Sequence, residues 1–154
     1  MFGLTINHDD TISYTLKVDQ ENLWRTSPEG PATPGRVGVA HIHLGSSHAH
    51  GAIMFEIYSP KNGPFTGKIS GTLTADDLVV KDTFHGGGIP RLLAQYGIVN
   101  MEDALEAIRN CNVSVIVHTS AFWIGEIAGD VCRAKRGHKH KRHWKYNSYD
   151  GHHG

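Results

Sequence analysis

VAHIHLGSSHAHGAIMFEIY, residues 39–58, decides how this chain of 154 residues is read. Side chains alternate faces along a strand, so residues two apart point the same way. If the start of the run is extended, His41 and His43 aim two imidazoles at one spot. Val39 and Ile42 are types that strands favour, and Gly45-Ser46-Ser47 and Gly51 then punctuate the run as a loop. AIMFEIY, residues 52–58, reads as the next strand. The loop carries a second His-x-His pair, His48 and His50. One strand histidine by itself is more often a satisfied structural residue than a ligand. A pair on one face, a second pair nearby and a strand histidine far along the chain tip the reading toward a metal, because imidazole is the commonest metal-ligating side chain.

Outward from that stretch, the length suits one domain with a proper core. No apolar run approaches the roughly 20 residues of a membrane-spanning helix. The opening MFGLTINHDD has neither the basic start nor the apolar centre of a secretory signal. Net charge is zero, yet it divides: residues 1–132 hold 8 Lys/Arg against 14 Asp/Glu, and residues 133–154 hold 7 Lys/Arg against one Asp. The body is acidic and the tail is basic, by equal amounts.

ISYTLKV, residues 12–18, alternates with a period of two and reads as a half-buried strand, preceded by another over residues 4–7. Three prolines and two glycines mark residues 19–36 as a long surface connection to which Trp24 is a candidate anchor. A strand is expected over residues 65–73, and Thr74 opens a capped helical turn. His85 precedes Gly86-Gly87-Gly88, read as a flexible segment; without a following Lys-Ser/Thr it is no phosphate loop. Residues 100–110 form the best helix, capped by Asn100, with Met101, Ala104, Leu105 and Ile108 as its apolar stripe. NVSVIVHT and IGEIAGDV close the domain as an antiparallel hairpin. A register pairing His118 with Gly125 pairs Val117 with Glu126 and sets Cys111 opposite Cys132, within disulfide reach. Two unrelated buried thiols are the alternative. Short strands, glycine-rich turns and one or two small helices describe an all-β antiparallel sandwich or barrel.

Ala40-His41-Ile42-His43-Leu44-Gly45 early, with Val117-His118-Thr119 and Gly125-Glu126-Ile127-Ala128-Gly129 late, resembles the chordin-type (CHRD) domain family. Residues 67–78, GKISGTLTADDL, resemble that family's middle segment. The chain departs from the family pattern at Ser47-His48-Ala49-His50-Gly51, at Ala128 and Asp130, and in its tail. The resemblance implies a Greek-key β-sandwich similar to the copper-zinc superoxide dismutase framework, in which a His-x-His strand and a late histidine meet over one sheet. It also implies an extracellular or cell- or spore-surface location.

If His41, His43 and His118 converge, three imidazoles without cysteine suit copper or zinc. His48, His50 or His85 could supply a fourth ligand. Glu126, Asp130 and Thr119 are candidates to orient the rings from behind. An acidic body argues against steering an anionic substrate such as superoxide into the site. The tail RAKRGHKHKRHWKYNSYDGHHG interleaves Arg133, Lys135, Arg136, His138, His140, Arg142 and His143 with Trp144 and Tyr146. That mixture suits contact with a neighbouring acidic subunit, a solvated arm, or binding of nucleic acid or another anion. The sequence therefore points to a β-sandwich domain over residues 1–132 with a basic tail over residues 133–154. It reads as a non-enzymatic metal-binding structural or surface protein, assembling as a homo-oligomer through its tail. A copper-dependent redox enzyme and an anion- or nucleic-acid-binding module are the alternatives.

Overall fold

The computed structural model describes residues 1–23, 36–49, 51–79 and 88–132. Within them the elements run β1 (Phe2–Ile6), β2 (Ile12–Lys17), β3 (Val37–Leu44), β4 (Ile53–Tyr58), β5 (Lys68–Leu73), α1 (Gly88–Gln95), α2 (Met101–Arg109), β6 (Val113–Thr119) and β7 (Ile127–Val131). Two antiparallel sheets result, one in the order β1-β2-β5 and the other β4-β3-β6-β7. After the β3–β4 hairpin the chain crosses to the other sheet for β5, then returns as β6 alongside β3. A return beside the first strand of the set is the Greek-key connection. No described helix is long and apolar enough to cross a membrane.

One apolar core fills the space between the sheets. Ile12 and Leu16 of β2 and Leu73 of β5 meet Ala40, Ile42 and Leu44 of β3, Met54 and Phe55 of β4, and Val113, Val115 and Val117 of β6. Because β3 and β6 alternate, their intervening residues, His41 and His43 on one and Ser114, Ile116 and His118 on the other, lie on the opposite face of the sheet. Tyr14 ties the two sheets directly by donating its hydroxyl to the Ile57 carbonyl at 3.0 Å. Its ring has room because Gly71 stands opposite it, where any Cβ would press on the ring.

Helix α2 starts as expected: Asn100 accepts from the Asp103 amide, and the Asp103 carboxylate accepts from the Asn100 amide. It buries Ala104, Leu105, Ala107 and Ile108 in the same core. Helix α1 was not anticipated; it begins at Gly88, the last of the three glycines read as a flexible segment, and Gly86 and Gly87 lie outside the described residues. Ile89, Leu92, Leu93 and Tyr96 fall at helical spacing and could have announced it, although of its described side chains only Leu93 is deeply buried. Its end is a left-handed glycine cap: Gly97 has φ +79°, its amide donates to Ala94, and the Ile98 amide donates to Leu93.

The closing hairpin corrects the expected register by one residue. Val117 pairs with Ile127, not Glu126, and Val113 pairs with Val131. The turn sets this register: the Gly125 amide donates to Phe122 and the Glu126 amide to Val117, so the ladder begins at Ile127. Cys111 is not a strand residue. It sits just past α2 with φ +59°, its amide bonded to Ile108 and the next amide, of Asn112, to Ala107. From that turn it still reaches Cys132, and the two form a disulfide. The slip matters because a one-residue shift sends every β7 side chain to the other face. Trp24, His50, His85 and the whole of residues 133–154 lie outside the described residues.

Candidate metal centre

The outer face of the four-stranded sheet brings His41, His43 and His118 together. β3 pairs with β6 so that Val39 stands opposite His118, His41 opposite Ile116, and His43 opposite Ser114. Two irregularities in the β3–β4 ladder, between Ala40 and His41 and between Ile42 and His43, bracket the first histidine. Bulges of this kind re-aim side chains and gather next to functional sites. One ligand atom from each of the three histidines falls within 4.8 Å of the others. His41 and His43 are buried, at 9% and 6% exposure.

Backbone carbonyls set the orientation of two rings. His43 Nδ1 lies 2.7 Å from the Gly51 carbonyl oxygen, and His118 Nδ1 lies 2.7 Å from that of Trp123. A carbonyl only accepts, so each Nδ1 carries the proton; in the neutral ring the lone pair is then on Nε2. His41 faces the other way round. Its Nδ1 is 3.3 Å from His118 Nε2, and its Nε2 is 3.9 Å from Glu56 Oε2. Glu56 is the ladder partner of His41 on β4, and its half-exposed carboxylate adds a favourable but solvent-screened charge.

This donor set fits a metal ion. Tetrahedral nitrogen ligands at about 2.0–2.1 Å from a metal stand about 3.3–3.4 Å apart, and the His41–His118 separation already has that value. Orientation of each imidazole by an acceptor on its other nitrogen is the usual support of a ligating histidine. Beside the trio, Ser114 is fully buried, and its Oγ has no hydrogen-bond partner among the described residues. A buried hydroxyl without a partner is costly, which suits a site built to receive something more than side chains.

Of the other expected site residues, His48 is exposed, with its Nδ1 3.5 Å from Ser47 Oγ, and is not a member of the trio. Glu126 accepts from the Thr119 hydroxyl at 2.6 Å, and Thr119 Oγ1 accepts from the Phe122 amide at 3.1 Å. These bonds brace the turn that presents the Trp123 carbonyl to His118. Asp130 accepts from the Ser47 amide at 2.6 Å, fastening the β3–β4 loop to β7. Gly51, Trp123 and Glu56 were not foreseen as site residues. A backbone carbonyl leaves no mark in a sequence, whereas Glu56, the lone charge in an apolar strand, was a signal that could have been read. Comparison with protein-family models, with curated proteins and with solved structures yields no match to this chain.

Proposed function

We propose that His41, His43 and His118 hold a copper(II) or zinc ion, and that the protein is a non-enzymatic metal-binding structural or surface protein. The carrying observation is that two rings are pinned through Nδ1 to backbone carbonyls while the third turns its own Nδ1 toward them, all within 4.8 Å. A bound ion would act as a Lewis-acidic cross-link between β3 and β6, next to the two loops that hold the rings. The residues do the rest: Gly51 and Trp123 keep two protons away from the site, and Glu56 stands ready to accept from His41 Nε2. Kinship with the chordin-type family, and the surface location it implies, belong to this proposal; the two-sheet architecture and the meeting of an early His-x-His pair with a late histidine support it.

A copper-dependent redox centre is the second reading, favoured by the gathering of only three side-chain ligands among the described residues. The net negative charge of residues 1–132 weighs against it for an anionic substrate. Calorimetric titration of zinc and copper(II) into chelator-treated protein tests the main reading. Tight uptake by the parent that is lost in the His41→Ala, His43→Ala double variant is expected; uptake identical in both removes the centre. Superoxide turnover by the copper-loaded parent would promote the second reading.

A further inference from the structure

We infer that the Cys111–Cys132 disulfide sets the metal affinity of the histidine centre through the β3–β4 loop, an inference that rests on the metal-binding reading above. The loop has two anchors outside its own hairpin. The Gly45 amide donates to the Asn112 carbonyl at 2.8 Å, and the Ser47 amide donates to Asp130 Oδ1 at 2.6 Å. Asn112 follows Cys111, and Asp130 lies two residues before Cys132. Both anchors therefore belong to the two segments that the disulfide joins. The other end of the loop delivers Gly51, whose carbonyl fixes the ring of His43. A covalent bond on one side of the loop and a ligating imidazole on the other are linked by a short run of hydrogen bonds.

The bridge joins a left-handed turn to the end of an edge strand. Cys111 holds a left-handed conformation, φ +59°, that disfavours any residue but glycine. β7 is an edge strand, and its last rung, Val113–Val131, adjoins the disulfide. Strand ends without a tether open first. Reduction by a dithiol breaks the S–S bond with two electrons and two protons, leaves two thiols and converts the dithiol to its own disulfide. The end of β7 is then free to fray and Asp130 loses its fixed place, while Asn112 stays held to Ala107; with one of its two anchors gone, the loop holds Gly51 less firmly against His43. By linkage, an ion bound at the histidines protects the disulfide by the same factor.

The test compares zinc affinity, by competition with a chromophoric chelator, in the oxidised full chain and in the Cys111→Ser, Cys132→Ser double variant. The His41→Ala, His43→Ala variant is measured alongside, so that uptake by tail histidines can be subtracted. Loss of an outer support for a ligand weakens metal binding by about 10–100-fold, and a drop of that size is expected in the cysteine variant. Asp130→Ala with the disulfide intact should reproduce much of the drop and add little when combined with the cysteine variant. Equal affinity in parent and cysteine variant overturns the inference while leaving the metal centre standing. Absence of uptake at the histidines of the oxidised parent overturns the centre itself, and this regulation with it. A readout without metal covers the case of a poorly folded variant: exchange of the Ser47 amide in the parent should accelerate on reduction, and an unchanged rate overturns the inference.

Discussion

Tyr14 shows how one side chain joins the two layers. Its hydroxyl bonds the Ile57 carbonyl of the opposite sheet, and burial, with the nearby Asp77 carboxylate, pushes its pKa above the ordinary tyrosine value. The folded pKa exceeds the unfolded one, so the native state holds this proton longer. Its contribution to stability is therefore complete below about pH 10 and is lost as the pH climbs through the raised value. Urea unfolding of Tyr14→Phe should show a loss of about 1 kcal/mol at neutral pH and a shallower decline in alkali than the parent. An equally steep decline would mean that other tyrosines carry the effect. The histidines make the complementary point about legibility. That His41 and His43 share a face follows from the two-residue period alone, whereas the tautomers follow from carbonyls of Gly51 and Trp123 that no side-chain pattern announces.

Among elements, the β3–β4 loop carries the sharpest requirement. Leu44 and Ala52 close its neck through a 2.8 Å backbone hydrogen bond, and Gly51 passes so near Leu44 that a Cβ there would overlap the Leu44 carbonyl. Gly51→Ala is expected to leave the sandwich folded, to displace the carbonyl that holds His43, and to weaken zinc binding by about 10–100-fold. Parent-like affinity in the chelator competition would show that His43 is held by something else. The strands and α2 were readable because each repeats a pattern: alternation in β2 and β3, and an apolar stripe behind Asn100 in α2. α1 was passed over although Ile89, Leu92, Leu93 and Tyr96 stand at helical spacing, because the glycines before it drew the reading toward a loop; its end is marked by Gly97 and Ile98. The β6–β7 register was missed by one residue because Gly125 and Glu126 belong to the turn, their amides bonded to Phe122 and Val117, and Cys111, which looks like a strand residue in one dimension, is a helix-ending turn in three.

For the molecule as a whole, the division of charge is the feature with the widest reach. Residues 1–132 are net negative and residues 133–154 net positive by the same amount. We propose that the basic tail of one copy rests on the acidic body of another, as charge complementarity favours. Light scattering at low salt should find an assembly that dissociates as salt is raised and is absent when residues 133–154 are deleted. A monomeric parent at low salt would end this proposal, and salt-sensitive binding of single-stranded DNA by the parent would turn the tail toward nucleic acid instead. The sandwich was foreseeable from many short alternating segments, but not which strands share a sheet, because pairing between distant segments such as β2 and β5 leaves no local pattern in the sequence.

β3 and β6 lend their two sides to different ends. Ala40, Ile42 and Leu44, with Val113, Val115 and Val117, knit the interior, while His41, His43 and His118 look outward from the same backbone. Chemistry and architecture therefore interleave residue by residue without competing for the same positions. The three ligand positions can be exchanged with less disturbance to the interior than their core neighbours, whereas Ser114 and Ile116 on the same face are fully buried and carry packing of their own.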